Sequence, residues 1–256
     1  MLTIQAIPAF KDNYIWLIQS EGSQKVLIVD PGEAEPVLEA IKQQNLIPVA
    51  IIITHGCHDH VDGIGQLLQY HDVSVYGPKK EFIPYITHPL SACEDLVIAP
   101  LFPAFRVLDI PGHTKGHIGF LIENNLFCGD VLFGAGCGRL HSGPAEVMFE
   151  SLQQLAQLPK DTTVYCAHEY TENNLRFAAI IEPDNMDIKQ RIIDTALLRQ
   201  QDKPSIPFTL DLELATNPFL RCEQFSVAQS AKNYAERTLS TAIEVFTALR
   251  RWKEQF

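Results

Sequence analysis

An apolar, β-branched run that stops in a packet of metal donors limits what this chain can fold into. Ala50-Ile51-Ile52-Ile53 reads as a buried strand, because β-branched side chains favour the covered, pleated surface of a sheet. Thr54-His55-Gly56-Cys57-His58-Asp59-His60 follows directly. Imidazole, thiolate and carboxylate are the donors that zinc and its first-row neighbours take. Delivered from a strand end, they stand on a rigid base, with variable loops around them. The bland alternative is a polar loop that happens to hold three of the chain's nine histidines, and it weakens once distant partners are counted.

Those partners appear when the chain is read in order. Residues 2–7, 14–18 and 25–29 are strand-like, and the third run ends in Asp30-Pro31-Gly32, a turn able to launch a helix from Glu33 to about Gln43. After the strand at 49–53 and the donor packet, 66–70 has a helical pattern and 73–76 a strand pattern. Residues 78–103 hold Pro78, Pro84, Pro89, Pro100 and Pro103, which predicts loops and short strands. The strand 105–110 runs into Pro111-Gly112-His113-Thr114-Lys115-Gly116-His117. Strands at 118–122 and 126–128 flank a turn at Asn124-Asn125, and the second ends in Gly129-Asp130. A helix is predicted over 145–158, then a strand over 162–166 that stops at Ala167-His168-Glu169. Beyond Thr171 the texture turns helical, over 171–182, 186–201 and 226–254, with breaks near Pro204, Pro207 and Pro218. The pattern divides the chain near 170, into 1–170 and 171–256.

His55, Cys57, Asp59, His60, His113, Asp130 and His168 therefore all sit at or just past a predicted strand end. Seven donors are too many for one tetrahedral ion but suit two ions that share a carboxylate. Two metals ~3.5–4 Å apart can activate a water and polarise a substrate oxygen.

Composition narrows the partners. Across 256 residues, 46% are hydrophobic and 20% charged, as in ordinary globular chains. A net charge of -11 argues against non-specific nucleic-acid binding, while leaving room for a small anionic ligand at a local basic cluster. No leader pattern opens the sequence, and no apolar run has the length to span a bilayer. The six cysteines, at 57, 93, 128, 137, 166 and 222, lack paired short spacing, which predicts reduced thiols in a cytoplasmic protein.

The donor pattern, from His55-x-Cys57-x-Asp59-His60 through Gly112-His113-Thr114-x-Gly116-His117 and Gly129-Asp130 to His168, resembles the metallo-β-lactamase superfamily. Within it the chain is similar to the hydroxyacylglutathione hydrolases (glyoxalase II). That resemblance rests on Ile7-Pro8-Ala9-Phe10-Lys11-Asp12-Asn13-Tyr14-Ile15-Trp16, Ala135-Gly136-Cys137-Gly138-Arg139-Leu140 and Ala167-His168-Glu169-Tyr170-Thr171. It extends to Asn174-Leu175-Arg176-Phe177-Ala178, Asn217-Pro218-Phe219-Leu220-Arg221 and Leu249-Arg250-Arg251-Trp252-Lys253. It implies an α+β fold, an αββα sandwich carrying a C-terminal helical domain that binds glutathione.

The resemblance also implies roles. One divalent metal, zinc first with iron or manganese possible, would be held by His55, Cys57 and His113. A second would be held by Asp59, His60 and His168, with Asp130 bridging. Asp59 and Asp130 would fix the geometry around a bridging hydroxide that hydrolyses S-D-lactoylglutathione to glutathione and D-lactate, the second step of methylglyoxal detoxification. Arg139, His141, Tyr170, Arg250 and Lys253 would bind the glutathione part. The protein would act as a monomer, with no nucleic-acid or membrane partner. His58 occupies a variable position of the motif, and His117 would brace a loop or stand behind the ligands without binding metal itself. Taken without the resemblance, Arg250 and Lys253 read as solvated charges of an exposed terminal helix, and Asp12 and Asn13 as turn formers. Cys57 is the main departure, because the family has histidine there. A thiolate at that position either ligates or leaves the first site weakened. Two rivals remain at this level: a persulfide dioxygenase-like enzyme of the same fold, and a non-catalytic binder of glutathione conjugates.

Overall fold

The computed structural model of the chain describes residues 2–141 and 143–256, apart from the side chains at 93 and 94, so the reading of Cys93 as a packed thiol lies outside the described residues. Contacts divide the chain into two compact units. One comprises the residues up to Asp109 together with Thr114–Gly129, and the other Ile110–His113 with Asp130–Phe256.

The first unit contains a sheet of six strands hydrogen-bonded in chain order: β1 (Leu2–Ala9), β2 (Asn13–Ser20), β3 (Lys25–Val29), β4 (Ile47–Ile52), β5 (Ser74–Pro78) and β6 (His88–Leu90). The first three run antiparallel, and β3 to β6 run parallel. Parallel neighbours need a crossover. It is supplied by α1 (Glu35–Gln44) between β3 and β4, and by α2 (His58–Val61) and α3 (Ile64–Tyr70) between β4 and β5. A proline in its first turn starts α1, and Asn45 in the left-handed region ends it. Ile15, Leu17, Val26, Ile28, Ile51 and Ile53 join Val37, Ile41, Ile64 and Leu67 in one core cluster. The alternating residues Trp16, Ile18, Leu27, Val29 and Ile52 are buried as well. Both faces of these strands are covered, which is why they read as unbroken apolar runs. A second, antiparallel set in the same unit runs β7 (Cys93–Leu96), β8 (Phe105–Asp109), β9 (Ile118–Ile122), β10 (Asn125–Gly129). Its last turn falls earlier than Asn124-Asn125, since Glu123 takes the left-handed conformation and Asn125 already pairs with Ile122.

From Asp130 on, the second unit runs through a short hairpin, β11 (Leu132–Phe133) and β12 (Gly136–Cys137), followed by α4 (Ala145–Ala156) and β13 (Thr163–Cys166). Then come α5 (Thr171–Ile181), α6 (Met186–Gln200), β14 (Phe208–Thr209), α7 (Leu210–Thr216), α8 (Phe225–Ala235) and α9 (Ala242–Gln255). A buried carboxylate ties several of these together. Glu213 on α7 accepts from the Ala135 amide at 2.9 Å and from Asn217 Nδ2 at 2.8 Å, and its Oε1 lies 2.5 Å from Arg191 Nη2 on α6. Burial pushes the Glu213 carboxyl up, and the charge of Arg191 works against that shift.

Two expectations are corrected here. The stretch 226–254 is two helices, because α8 stops at Glu236 in the left-handed region and α9 starts anew at Thr241. Thr241 and Glu244 form a reciprocal capping box. The region of Pro204, Pro207 and Pro218 is more than a break, since α7 forms inside it with Thr209 capping its N-terminus. Among the described residues no helix is long and apolar enough to cross a membrane.

Candidate metal centre

In the first unit the donor packet leaves β4 and enters α2. Asp30, just past β3, organises it. Its Oδ1 accepts the Thr54 amide at 2.7 Å, and its Oδ2 accepts the Thr54 hydroxyl at 2.7 Å and faces His60 Nδ1 at 3.1 Å. A carboxylate can only accept, so His60 carries its proton on Nδ1 and presents Nε2 as a lone-pair donor. Thr54 spends its single hydroxyl hydrogen on Asp30, so its oxygen accepts from His55 Nδ1 at 3.0 Å. That fixes the same tautomer on His55, with Nε2 as the lone-pair nitrogen.

The rings of His55 and His60 lie 4.0 Å apart, and His117 stacks on His55 at 4.5 Å, all three being fully buried. Asp59 Oδ2 lies 3.6 Å from His60 Nε2 and accepts from Asn13 Nδ2 at 2.9 Å. Asn13 is therefore more than a turn former: it is buried and orients Asp59. Cys57, half-buried, is the N-cap of α2, and its carbonyl accepts the His60 amide at 3.0 Å. His58 points to solvent, 94% exposed, beside Asp62 at 3.2 Å.

The second unit has its own group. His113 Nδ1 donates to the Arg139 carbonyl at 2.9 Å, which again presents Nε2. Asp130 Oδ2 stands 3.5 Å from His113 Nε2 and 3.4 Å from His168 Nε2. These separations exceed a good N–H···O hydrogen bond, which peaks near about 2.9–3.0 Å. They match the edge of a tetrahedron of donors around an ion with bonds of about 2.0–2.2 Å, which is roughly 3.3–3.6 Å. The Asp59–His60 spacing in the first unit has the same character. The residues thus fit divalent ions by donor type, tautomer and spacing.

The residues expected to bind glutathione occupy the second unit. Tyr170 stacks on His168 with centroids 4.7 Å apart, and Phe133 meets both rings edge-on. Arg139 and His141 are exposed; the His141 amide donates to the His113 carbonyl at 3.2 Å, and its ring meets His113 edge-on at 4.6 Å. Arg250 corrects the picture of a solvated basic helix. It is only 4% exposed, donates to the Cys137 carbonyl at 3.1 Å, and lies over the Phe219 ring. Lys253 is half-buried over Phe177 and Phe256 and donates to the Asn173 carbonyl at 3.3 Å. Burial, and then the neighbouring charge of Arg250, lowers its pKa to about 8. Cys137 is pushed up by burial despite Arg250, so it is a packed thiol and no nucleophile.

Comparison with known proteins agrees with this chemistry. Residues 10–168 match the metallo-beta-lactamase superfamily, and residues 169–256 match the family described as hydroxyacylglutathione hydrolase C-terminus. A protein of Nitrosomonas europaea named hydroxyacylglutathione hydrolase is 48% identical over 256 residues, covering 100% of this chain and 97% of its own. One of Aliivibrio fischeri with the same name is 50% identical, covering 100% of both. Among solved structures, ETHE1 from Myxococcus xanthus has a TM-score of 0.65 at 20% identity, covering 99% of this chain and 98% of its own. The BLEG-1 B3 metallo-beta-lactamase has a TM-score of 0.65 at 22% identity, covering 85% of this chain and 99% of its own, and at such identities the likeness concerns the fold alone.

The α+β fold and the strand-end donors thus define a metal-binding hydrolase of the metallo-beta-lactamase superfamily. Within that superfamily the chain belongs to the hydroxyacylglutathione hydrolase family.

Proposed function

We propose that this protein hydrolyses S-2-hydroxyacylglutathiones, S-D-lactoylglutathione first among them, to glutathione and a 2-hydroxy acid. The observation that carries the reading is Asp130 Oδ2 flanked at ligand-edge distance by two imidazole nitrogens, in a chain similar along its whole length to proteins of that name. In the reading, His55, Cys57 and His113 would hold one divalent ion, and Asp59, His60 and His168 the other, with Asp130 serving both. Zinc is favoured by the mixed imidazole, thiolate and carboxylate set, and iron or manganese is compatible with it.

Bound divalent ions supply a lowered water pKa and a Lewis-acid contact for the carbonyl oxygen. The chain's own residues do the rest. Asp30, Thr54 and the Arg139 carbonyl keep His60, His55 and His113 in the tautomer that donates from Nε2. Asn13 holds Asp59 in one orientation, so the donors need little rearrangement. Water adds to the thioester carbonyl, the C–S bond breaks, and the water's proton ends on the departing thiolate or in solvent. Arg139, His141, Tyr170, Arg250 and Lys253 bind the glutathione portion, the cations answering its carboxylates. Residues 1–170 would carry the metals and 171–256 the larger share of glutathione contacts.

A monomer fits this reading, since one chain supplies every donor and cation. A cytoplasmic enzyme in the second step of methylglyoxal detoxification fits it too, because Cys57, Cys128, Cys137, Cys166 and Cys222 are thiols, as a reducing compartment keeps them. The test is hydrolysis of S-D-lactoylglutathione by purified protein, lost on strong chelation and regained with zinc, manganese or iron. Undiminished turnover by protein shown to be metal-free would overturn the reading.

A further inference from the structure

Glu81 lies between β5 and β6, inside the proline-rich stretch that has no periodic signal. Its half-buried carboxylate collects three donors from two loops of the first unit. Oε2 accepts the Gly56 amide at 2.6 Å. Oε1 accepts the Gly116 amide at 3.0 Å and also the Thr114 hydroxyl. Gly56 separates His55 from Cys57, and Thr114 is the residue after His113.

The two amides can only donate, and the Thr114 hydroxyl donates here as well, so the two oxygens of a carboxylate, which carry no hydrogen, satisfy all three. The approach is close enough to restrict the partners as well. A Cβ on Gly56 would come within 2.9 Å of Glu81 Oε2, and one on Gly116 within 2.5 Å of Glu81 Cγ. The same two loops are joined by the Ile118 amide donating to the Thr54 carbonyl at 2.9 Å and by the His117 ring stacked on His55. Remote surface bracing would not need a carboxylate bonded to the amide between two donor residues.

We propose that Glu81 is a positioning residue for the metal donors: it locks the His55-Gly56-Cys57 turn onto the Thr114–His117 loop and so sets metal affinity. This rests on the reading of His55 and Cys57 as ligands. Glu81→Gln keeps the size of the side chain but forces an NH2 group against N–H or O–H donors.

The experiment strips purified protein of metal and measures zinc and cobalt affinity by chelator competition, together with the cobalt absorption spectrum and Tm. Glu81→Gln is expected to weaken zinc binding by about 10–100-fold and to shift the cobalt spectrum, with activity returning at excess metal. Thr114→Val, which removes one of the three contacts, should weaken binding less and in the same direction, and it decides the matter if the Gln variant fails to fold. Wild-type affinity and spectrum in whichever variant folds, even with a lowered Tm, would overturn the proposal. Affinity is read without substrate, so a wild type that binds metal but hydrolyses no glutathione thioester would overturn the proposed function and leave this result standing.

Discussion

Asn13 Nδ2 donates to Asp59 Oδ2 across 2.9 Å, joining the first residue of β2 to a donor that lies 46 positions later. Asn13 pairs in register with Ala9 at the closed end of the β1–β2 hairpin, so the amide is held by the sheet itself. The bond reaches a half-buried carboxylate carried on a helix of only four residues.

Asn13→Ala should therefore reduce metal occupancy and kcat together, by about tenfold, a cost typical of losing an outer hydrogen bond to a ligand. Metal content after dialysis and steady-state kinetics on the same sample check this. Full occupancy with normal turnover would show that Asp59 is oriented by other means.

Cys57 is the one thiol in the expected donor set. If its thiolate ligates, it makes the first ion less Lewis acidic and favours zinc over manganese. Cys57→His should keep the fold, broaden the usable metals and match or raise kcat. Cys57→Ala should lose about tenfold or more. The thiol should resist alkylation in the loaded protein and react after stripping. An Ala variant with two ions and wild-type kinetics would remove Cys57 from the donor set.

Arg250 and Lys253 separate in their expected effects. Arg250 is buried, so Arg250→Ala should raise KM and also lower stability, by roughly 1.5–3 kcal/mol for the lost charged hydrogen bond. Lys253→Ala should raise KM well above any change in kcat, as loss of uniform binding does. Added salt should weaken the Lys253 contribution more than that of Arg250. Kinetics at two ionic strengths and thermal melts distinguish these outcomes; an unchanged KM in the double variant would place the glutathione end elsewhere.

The depressed pKa of Lys253 gives a pH dependence. With its pKa at about 8, from burial first and Arg250 next, the ammonium that meets a substrate carboxylate is lost as pH rises through that value. KM should climb between about pH 7 and 9.5, and Lys253→Arg should flatten the climb because a guanidinium stays charged. The effect on folding has the opposite sign. Between about 8 and the ordinary lysine value of 10.5, the unfolded chain binds more protons, so this group's contribution to stability rises with pH across that window. A pH-independent KM in the wild type would contradict the assignment of Lys253 to substrate.

The candidate donors were legible because each lies at or just past the end of a strand-like apolar run, which is visible without any fold. Their supports were not. Asp30 obeys the same strand-end rule, but its Pro-Gly sequel reads as turn chemistry. Glu81 sits among prolines, where periodicity is silent. Asn13 looks like any turn asparagine until the residue it bonds is known. Arg250 was misplaced because arginine is rarely buried and a terminal helix argues for exposure. The division of the last helical stretch had a signal, since Thr241-Ala242-Ile243-Glu244 is a capping-box sequence. The length of the apolar pattern around it concealed the stop at Glu236.

The hydrogen bonds of Arg250 to Cys137, Glu213 to Ala135 and Asn217 to Gly136 all reach upstream of residue 169, where the second family match begins. Recombination at that seam would thus separate partners that have been fitted to each other. A tail transplanted from a relative should function only if the donor's counterpart of the 130–140 stretch travels with it, so inheritance in this lineage is expected to favour drift in concert over exchange of ready-made parts.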